Sequence, residues 1–339
     1  MVSAEVWSLV GICFLIGITS FFSLVLVLVI IRNRKMNPYA WTSSLFSLFF
    51  VIFSILTIIV VDLWPMFYEA LLYNFTFLCL IILFIRSRRR YKKFKKEKDN
   101  SSILKDAGDS DDLSEKNEKL RKLFHLSGFL LVLAYYGVIP LVAPLLKFFH
   151  EFSDNYEASN KITLFTLMAA TFFVLAIDAQ RILFGEEYGF RRMNFLLREK
   201  EVRSPGAQTY LFVGATSGWV IAMLFEPVNG MIAIQIPLAA VVISTFADGM
   251  AAIVGKAKGK HKIKRPFNQV KSVEGCIAGF VTALGVSLPF LIWYPNGWLL
   301  SIIAALVCLL IDYLSPPIAD NLLNPIIITV VLELLALIS

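Results

Sequence analysis

Charge is scarce in this chain: Asp, Glu, Lys and Arg make up 17% of its 339 residues, against 58% hydrophobic ones. A soluble protein of this length carries far more charged surface, so a water-soluble enzyme of one or two domains is excluded and lipid is the expected solvent. The mean hydropathy of +0.72 agrees. Cysteine is equally sparse. Cys13, Cys79, Cys276 and Cys308 all lie inside apolar runs. They have neither metal-ligand spacing nor loop positions suited to a disulfide, and read as inert small hydrophobes. No internal repeat is visible, which weighs against the paired halves of a transporter. The net charge of +7 does not point to nucleic acid, because the basic residues sit in loops between apolar runs, where the positive-inside rule puts them.

What the chain has in abundance is long apolar runs. A helix crosses a bilayer core with roughly 20 apolar residues. Such runs cover approximately Trp7–Ile31, Trp41–Val61, Met66–Ile85, Leu126–Phe148, Ile162–Leu183, Tyr210–Phe225, Met231–Phe246, Cys276–Trp293, Trp298–Leu314 and Leu323–Ile338. The expected fold is therefore an all-α, polytopic transmembrane bundle of about ten helices. The first run is too long for a signal-peptide core and no small-residue cleavage site follows it, so it is expected to stay as a helix. Basic loops follow the first run (Arg32, Arg34, Lys35), the third (Arg86 to Lys93), the fifth (Arg191, Arg192, Arg198, Lys200, Arg203) and the seventh (Lys256 to Lys271). The alternate loops are short or acidic. One topology satisfies them all: both termini outside the cytoplasm and every basic loop within it. The polar stretch Lys95–Glu118 reads as a disordered linker. The chain thus divides into an N-terminal membrane unit of three helices (1–86), a basic and then acidic cytoplasmic linker (87–118), and a seven-helix membrane domain (119–339).

Three polar clusters stand out from the lipid-facing background. Arg121-Lys122-Leu123-Phe124-His125 meets the fourth run; anchoring explains the two cations but not an imidazole entering the bilayer. Asp248 opens the second cluster, which runs on through Ala251, Gly255 and Gly259 into Lys256, Lys258, Lys260 and Lys262. Residues four apart share a helix face, so these small residues form a stripe of bare backbone. Close helix packing is the commoner use of such a stripe. A retained acid at that depth is nevertheless a functional candidate. Glycines, lysines and one carboxylate together suit a polyphosphate carrying a divalent cation. In the third cluster, Lys271-Ser272-Val273-Glu274-Gly275, Ser272 reads as an N-cap and Glu274 as a dipole-favoured acid of the first turn. The same helix start also offers a lysine and a second acid to a phosphate site. Asp178 and Arg181, three apart, are expected to pair. Asp312 and Asp320-Asn321 reach the same face around Pro316, Pro317 and Pro325, and Glu333 lies in the outer half of the last run.

Taken in order, Arg121-Lys122-x-x-His125, Asp248-x-x-Ala251-x-x-x-Gly255-x-x-x-Gly259-Lys260 and Lys271-Ser272-x-Glu274-Gly275 resemble the polyprenol kinase family of dolichol kinases, phytol kinases and CTP-dependent diacylglycerol kinases. Asp312…Asp320-Asn321-Leu322…Pro325 resembles that family's C-terminal signature, with Asp312 standing where many relatives carry Glu. The resemblance spans residues 119 to 339 and implies CTP as phosphoryl donor and a membrane lipid alcohol as acceptor. On this reading Asp248 and Glu274 hold Mg²⁺. Lys260, Lys262 and Lys271, with Ala251, Gly255, Gly259 and Gly275, take the nucleotide. Arg121 and Lys122 neutralise charge, His125 accepts the alcohol proton, and Asp312, Asp320 and Asn321 are further candidates. A phytol or diacylglycerol acceptor, a cytidylyltransferase acting on a lipid phosphate, and a non-enzymatic transporter stay open as alternatives.

Overall fold

The computed structural model of the protein describes residues 38–60, 81–93, 127–138, 155–184, 205–264 and 270–338, with isolated positions 27, 31, 78, 79, 140, 141, 144 and 266. The chain forms helix α1 (Pro38–Val60) and α2 (Ser127–Leu133), the latter widening into a π-helical turn at Ala134–Val138. Next come α3 (Asn155–Phe184), α4 (Ala207–Asn229) and α5 (Met231–Lys258). A hairpin of β1 (Lys262–Lys264) and β2 (Val270–Ser272) leads to α6 (Val273–Leu291), α7 (Gly297–Leu314) and α8 (Asp320–Ala336). Six described helices, α1 and α3 to α7, are long and apolar enough to cross a membrane. The protein is an integral membrane protein of helical type. The expected spans 7–31 and 66–85 and the second half of 126–148 lie mostly outside the described residues.

The structure departs from the apolar pattern in three ways. The runs ending at Phe225 and Phe246 look short, yet α4 continues to Asn229 and α5 to Lys258. Ala, Met and Lys in the second extension are strong helix formers, so helix outlasts the apolar stretch. Residues 81–93 are helical through Arg86–Lys93, where a loop is expected. That segment is fixed by Ser87 Oγ donating to Gln180 Oε1 at 3.0 Å and by Phe84 and Tyr91 against the Phe184 ring. The third departure is the hairpin itself, a strand pair in a chain expected to be wholly helical. Lys262 faces Ser272, Ile263 faces Lys271 and Lys264 faces Val270.

α4 reverses into α5 at Gly230, whose φ of +60° is a backbone state suited to glycine. From there α5, α6, α7 and α8 run up and down, so the start of α4, the hairpin and the α7–α8 junction share one end of the bundle. α1 begins at that end too: Ser43 Oγ accepts from Ala319 N at 2.9 Å and Thr42 Oγ1 bonds the Pro317 carbonyl. At the opposite end Asn229 Nδ2 donates to Glu333 Oε2 at 2.8 Å, giving the fully buried Glu333 a partner the sequence leaves unassigned. One apolar core gathers α1, the α2 segment, α3, α4, α5 and the first turns of α8 around Trp219. A second joins α5, α6, α7 and the outer half of α8 around Ile236, Ala304 and Leu332.

α8 is set closely against α4. Pro325 has no N–H, so the Asn321 carbonyl loses its intrahelical donor. Gly214 lets α4 approach so near that a Cβ there would stand 3.0 Å from the Asn321 oxygen and 2.9 Å from that of Leu322. Gly218 stands likewise against the Pro325 carbonyl, at 3.1 Å.

Candidate active site

The small residues of α5 meet α6 along its first turns. A Cβ on Gly275 would come within 2.8 Å of the Ala251 carbonyl, and one on Gly255 within 2.9 Å of Ser272 Oγ. Gly279 lies against Ala251 Cβ and the Ala247 carbonyl in the same way. The bare stripe Ala251, Gly255, Gly259, expected to receive phosphates, is therefore covered by α6: its backbone is used in helix packing. What remains open is the rim. Lys256, Lys258, Lys260, Lys262 and Lys264 are all exposed there.

Ser272 caps α6 as its sequence suggests, its Oγ accepting from Gly275 N at 3.1 Å. The Glu274 carboxylate turns back to the hairpin. It accepts from His261 N at 3.2 Å and lies 2.7 Å from His261 Nδ1, while Val273 N donates to the His261 carbonyl at 2.9 Å. Together these contacts tie the base of the lysine hairpin to the first turn of α6.

Deeper along α5, Asp248 lines a small cavity with Ala251, Cys276, Gly279, Cys308, Asp312, Asp320 and Asn324. Three acids from three helices thus converge, near enough to act on one another electrostatically. The proline break sets this up: α7 ends at Ser315 in a left-handed conformation, φ 42°, and the chain re-enters as α8 with Asp320 in its first turn. Lys271 Nζ reaches Asp312 Oδ2 from the end of the hairpin, both side chains being partly buried. Asp320 Oδ1 accepts from Asn321 N at 2.8 Å. Glu274 is not among the residues lining this cavity. The sequence pairs Asp248 with Glu274; the structure pairs it with Asp312 and Asp320, because the Glu274 carboxylate turns back to His261 and it is Cys276 and Gly279 of α6 that line the cavity.

Arg121, Lys122 and His125 lie outside the described residues. Asp178 and Arg181 form the expected pair, Nη2 to Oδ1 at 2.7 Å. Asp178 Oδ2 accepts in addition from Gly206 N and Thr209 Oγ1, both at 2.6 Å, so this acid fastens the end of α3 to the start of α4. Sequence reasoning passes over two side chains, His261 and Asn324. Asn324 carries a usable signal, a polar residue one turn after Asn321 in a mostly apolar run.

Hard oxygen donors suit a divalent cation. Magnesium is usually held by one or two carboxylates together with substrate phosphates, not by a complete protein cage. Among the described residues no three acidic, histidine or cysteine side chains stand close enough to form such a cage by themselves. The donor set Asp248, Asp312 and Asp320 fits a cation whose remaining positions would be filled by water or by substrate phosphates beside the lysine rim.

The fold is a membrane-spanning helical bundle with Asp248, Asp312 and Asp320 beside a lysine-bearing hairpin at one end. Residues 120–316 match the model of the cytidylyltransferase family. The match covers more than half of the chain, and the protein belongs to that family, one of CTP-using, lipid-related enzymes that includes polyprenol kinase-like members. No curated protein and no solved structure matches the chain.

Proposed function

We propose that the protein is a CTP-dependent kinase that phosphorylates the hydroxyl of a membrane isoprenoid alcohol, of dolichol or polyprenol type, at the cytoplasmic face. The observation that carries this reading is the convergence of Asp248, Asp312 and Asp320 in one cavity beside a lysine-bearing hairpin, with Lys271 joining the two. Basic loops sort to this end of the bundle, which supports its cytoplasmic placement. The acceptor's tail stays in lipid while its hydroxyl reaches the surface.

Phosphoryl transfer rests chiefly on positioning and charge neutralisation. Asp248 and Asp320 hold the cation, and Asp312, paired with Lys271, sets the edge of that site. Magnesium supplies neutralisation of triphosphate charge. Lys260 and Lys262 on the exposed rim, with Lys271, take phosphate oxygens, and Arg121 and Lys122 add positive charge. Glu274, engaged with His261, holds the hairpin in place. The alcohol oxygen bonds to the γ-phosphorus, the bond from that phosphorus to the β–γ bridging oxygen breaks, and CDP leaves. The alcohol proton passes to His125.

The family match favours a second reading, cytidylyl transfer to a lipid phosphate, in which the α-phosphorus is attacked and pyrophosphate leaves. Purified protein in vesicles, given CTP labelled at the α- or the γ-phosphate and a panel of lipid alcohols and lipid phosphates, separates the two by product mass. Label from the γ position in the lipid supports the kinase; label from the α position with cytidine attached overturns it. Asp248→Ala is expected to lower turnover at least about 100-fold, the scale of losing a charge-stabilising group. Near-normal turnover in a folded sample contradicts the assignment.

A further inference from the structure

The acid cavity holds a fourth polar side chain that no role so far uses. Asn324 is 4% exposed, lines the cavity with Asp248, Asp312 and Asp320, and its Oδ1 is buried with no hydrogen-bond partner. A buried amide without a partner is costly, about 1–3 kcal/mol, and native structures hold few such groups. The stronger donors nearby are turned elsewhere, leaving only the weak S–H groups of Cys276 and Cys308. Asp248 and Asp320 offer acceptors only when ionised, Lys271 is directed to Asp312, and the Asn321 N–H is directed to Asp320. Three carboxylates and an amide oxygen around one space make a surface of negative potential whose natural complement is a cation.

Asn324 is also held firmly in place. It lies one residue before Pro325, in the part of α8 that Gly214 and Gly218 seat against α4. Its amide is therefore presented by rigid backbone from a helix different from those carrying Asp248 and Asp312.

We infer that Asn324 is a ligand-binding residue of this cavity, its amide oxygen joining Asp248 and Asp320 around a divalent cation. The inference rests on the functional reading above and gives the cation site an occupant that the pairing of Asp248 with Glu274 lacks. It makes a divided set of donors: charged oxygens from α5 and α8 that supply attraction, and a neutral oxygen that adds a ligand without adding repulsion among the acids.

The test uses the full chain purified in detergent, with Mn²⁺ as the probe and its free concentration read by electron paramagnetic resonance, without nucleotide or lipid. Wild-type protein is expected to bind Mn²⁺, and Asn324→Leu to weaken that binding about tenfold or more, the scale of losing a supporting group at a metal site. Asn324→Asp, which keeps the shape and adds charge, is expected to bind at least as tightly as wild type. It serves as the second variant should the leucine form fail to fold. Glu274→Gln is expected to leave Mn²⁺ binding unchanged. Absence of Mn²⁺ binding by the wild type, unaltered affinity in folded Asn324→Leu, or loss of affinity in folded Asn324→Asp each overturns the inference. A wild type that binds Mn²⁺ through Asn324 yet transfers nothing from CTP upholds this site and overturns the functional reading instead.

Discussion

Asp178 and Asp248 are both acids at the same end of the bundle, and their surroundings set them apart. Asp178 accepts from Arg181, from Gly206 N and from Thr209 Oγ1, leaving its charge answered on every side. Asp248 faces a cavity shared with two further acids. The first arrangement holds a fold together; the second asks for a ligand. Arg181 is only 2% exposed, so Asp178→Asn leaves a buried guanidinium without its counter-charge and is expected to cost about 3–5 kcal/mol. Thermal unfolding in detergent checks this, and an unchanged melting temperature contradicts it. The spacing of Asp178 and Arg181 made their pairing legible in the sequence. The roles of Gly206 and Thr209 were not legible, since they come from another helix across a connection whose basic charge marks its side but not its path. Asp312 and Asp320 were visible as candidates, but only the fold reveals that they, and not Glu274, stand with Asp248.

At the level of the element, the pairing of α5 with α6 shows why a stripe of small residues is ambiguous in sequence. Spacing of four shows that Ala251, Gly255 and Gly259 share a face; it says nothing of what meets that face. The distances decide it. Gly275 has the Ala251 carbonyl where its Cβ would go, whereas Gly285, on the same helix, has nothing within 4 Å. Gly275→Ala is therefore expected to push α6 off α5 and lower stability. Gly285→Ala is expected to be neutral or to raise stability by up to about 1 kcal/mol through helix propensity alone. Comparing the two melting temperatures checks the contact, and equal shifts would contradict it. The hairpin escaped the sequence reading for a related reason: three-residue strands are too short to show alternation, and lysine is no strand signal. The helix cap at Ser272 was legible because capping is local chemistry.

Across the whole molecule, polarity is distributed by end. The hairpin, the α7–α8 junction, the start of α1 and the Asp178 cluster lie together, while the Gly230 turn and Glu333 lie at the far end. The alternation of basic loops along the sequence anticipates which connections share an end, because loop charge survives as a signal even where helix ends are misjudged. In a chain with its native cysteines replaced, Val228→Cys and Lys262→Cys are expected to react with a membrane-impermeant maleimide from opposite sides of sealed vesicles. Reaction of both from one side contradicts the arrangement.

The seat of α8 on α4 carries a mechanical consequence. Gly214 and Gly218 hold the Asn321, Leu322 and Pro325 carbonyls by backbone contact, and such contact has no rotamers through which to yield. The start of α8 is thus an anvil, seated on α4 with no side chain between them to repack. The lysine hairpin beside it is held differently, by the side-chain contacts of His261 with Glu274 and of Lys271 with Asp312, which rotamer changes can loosen.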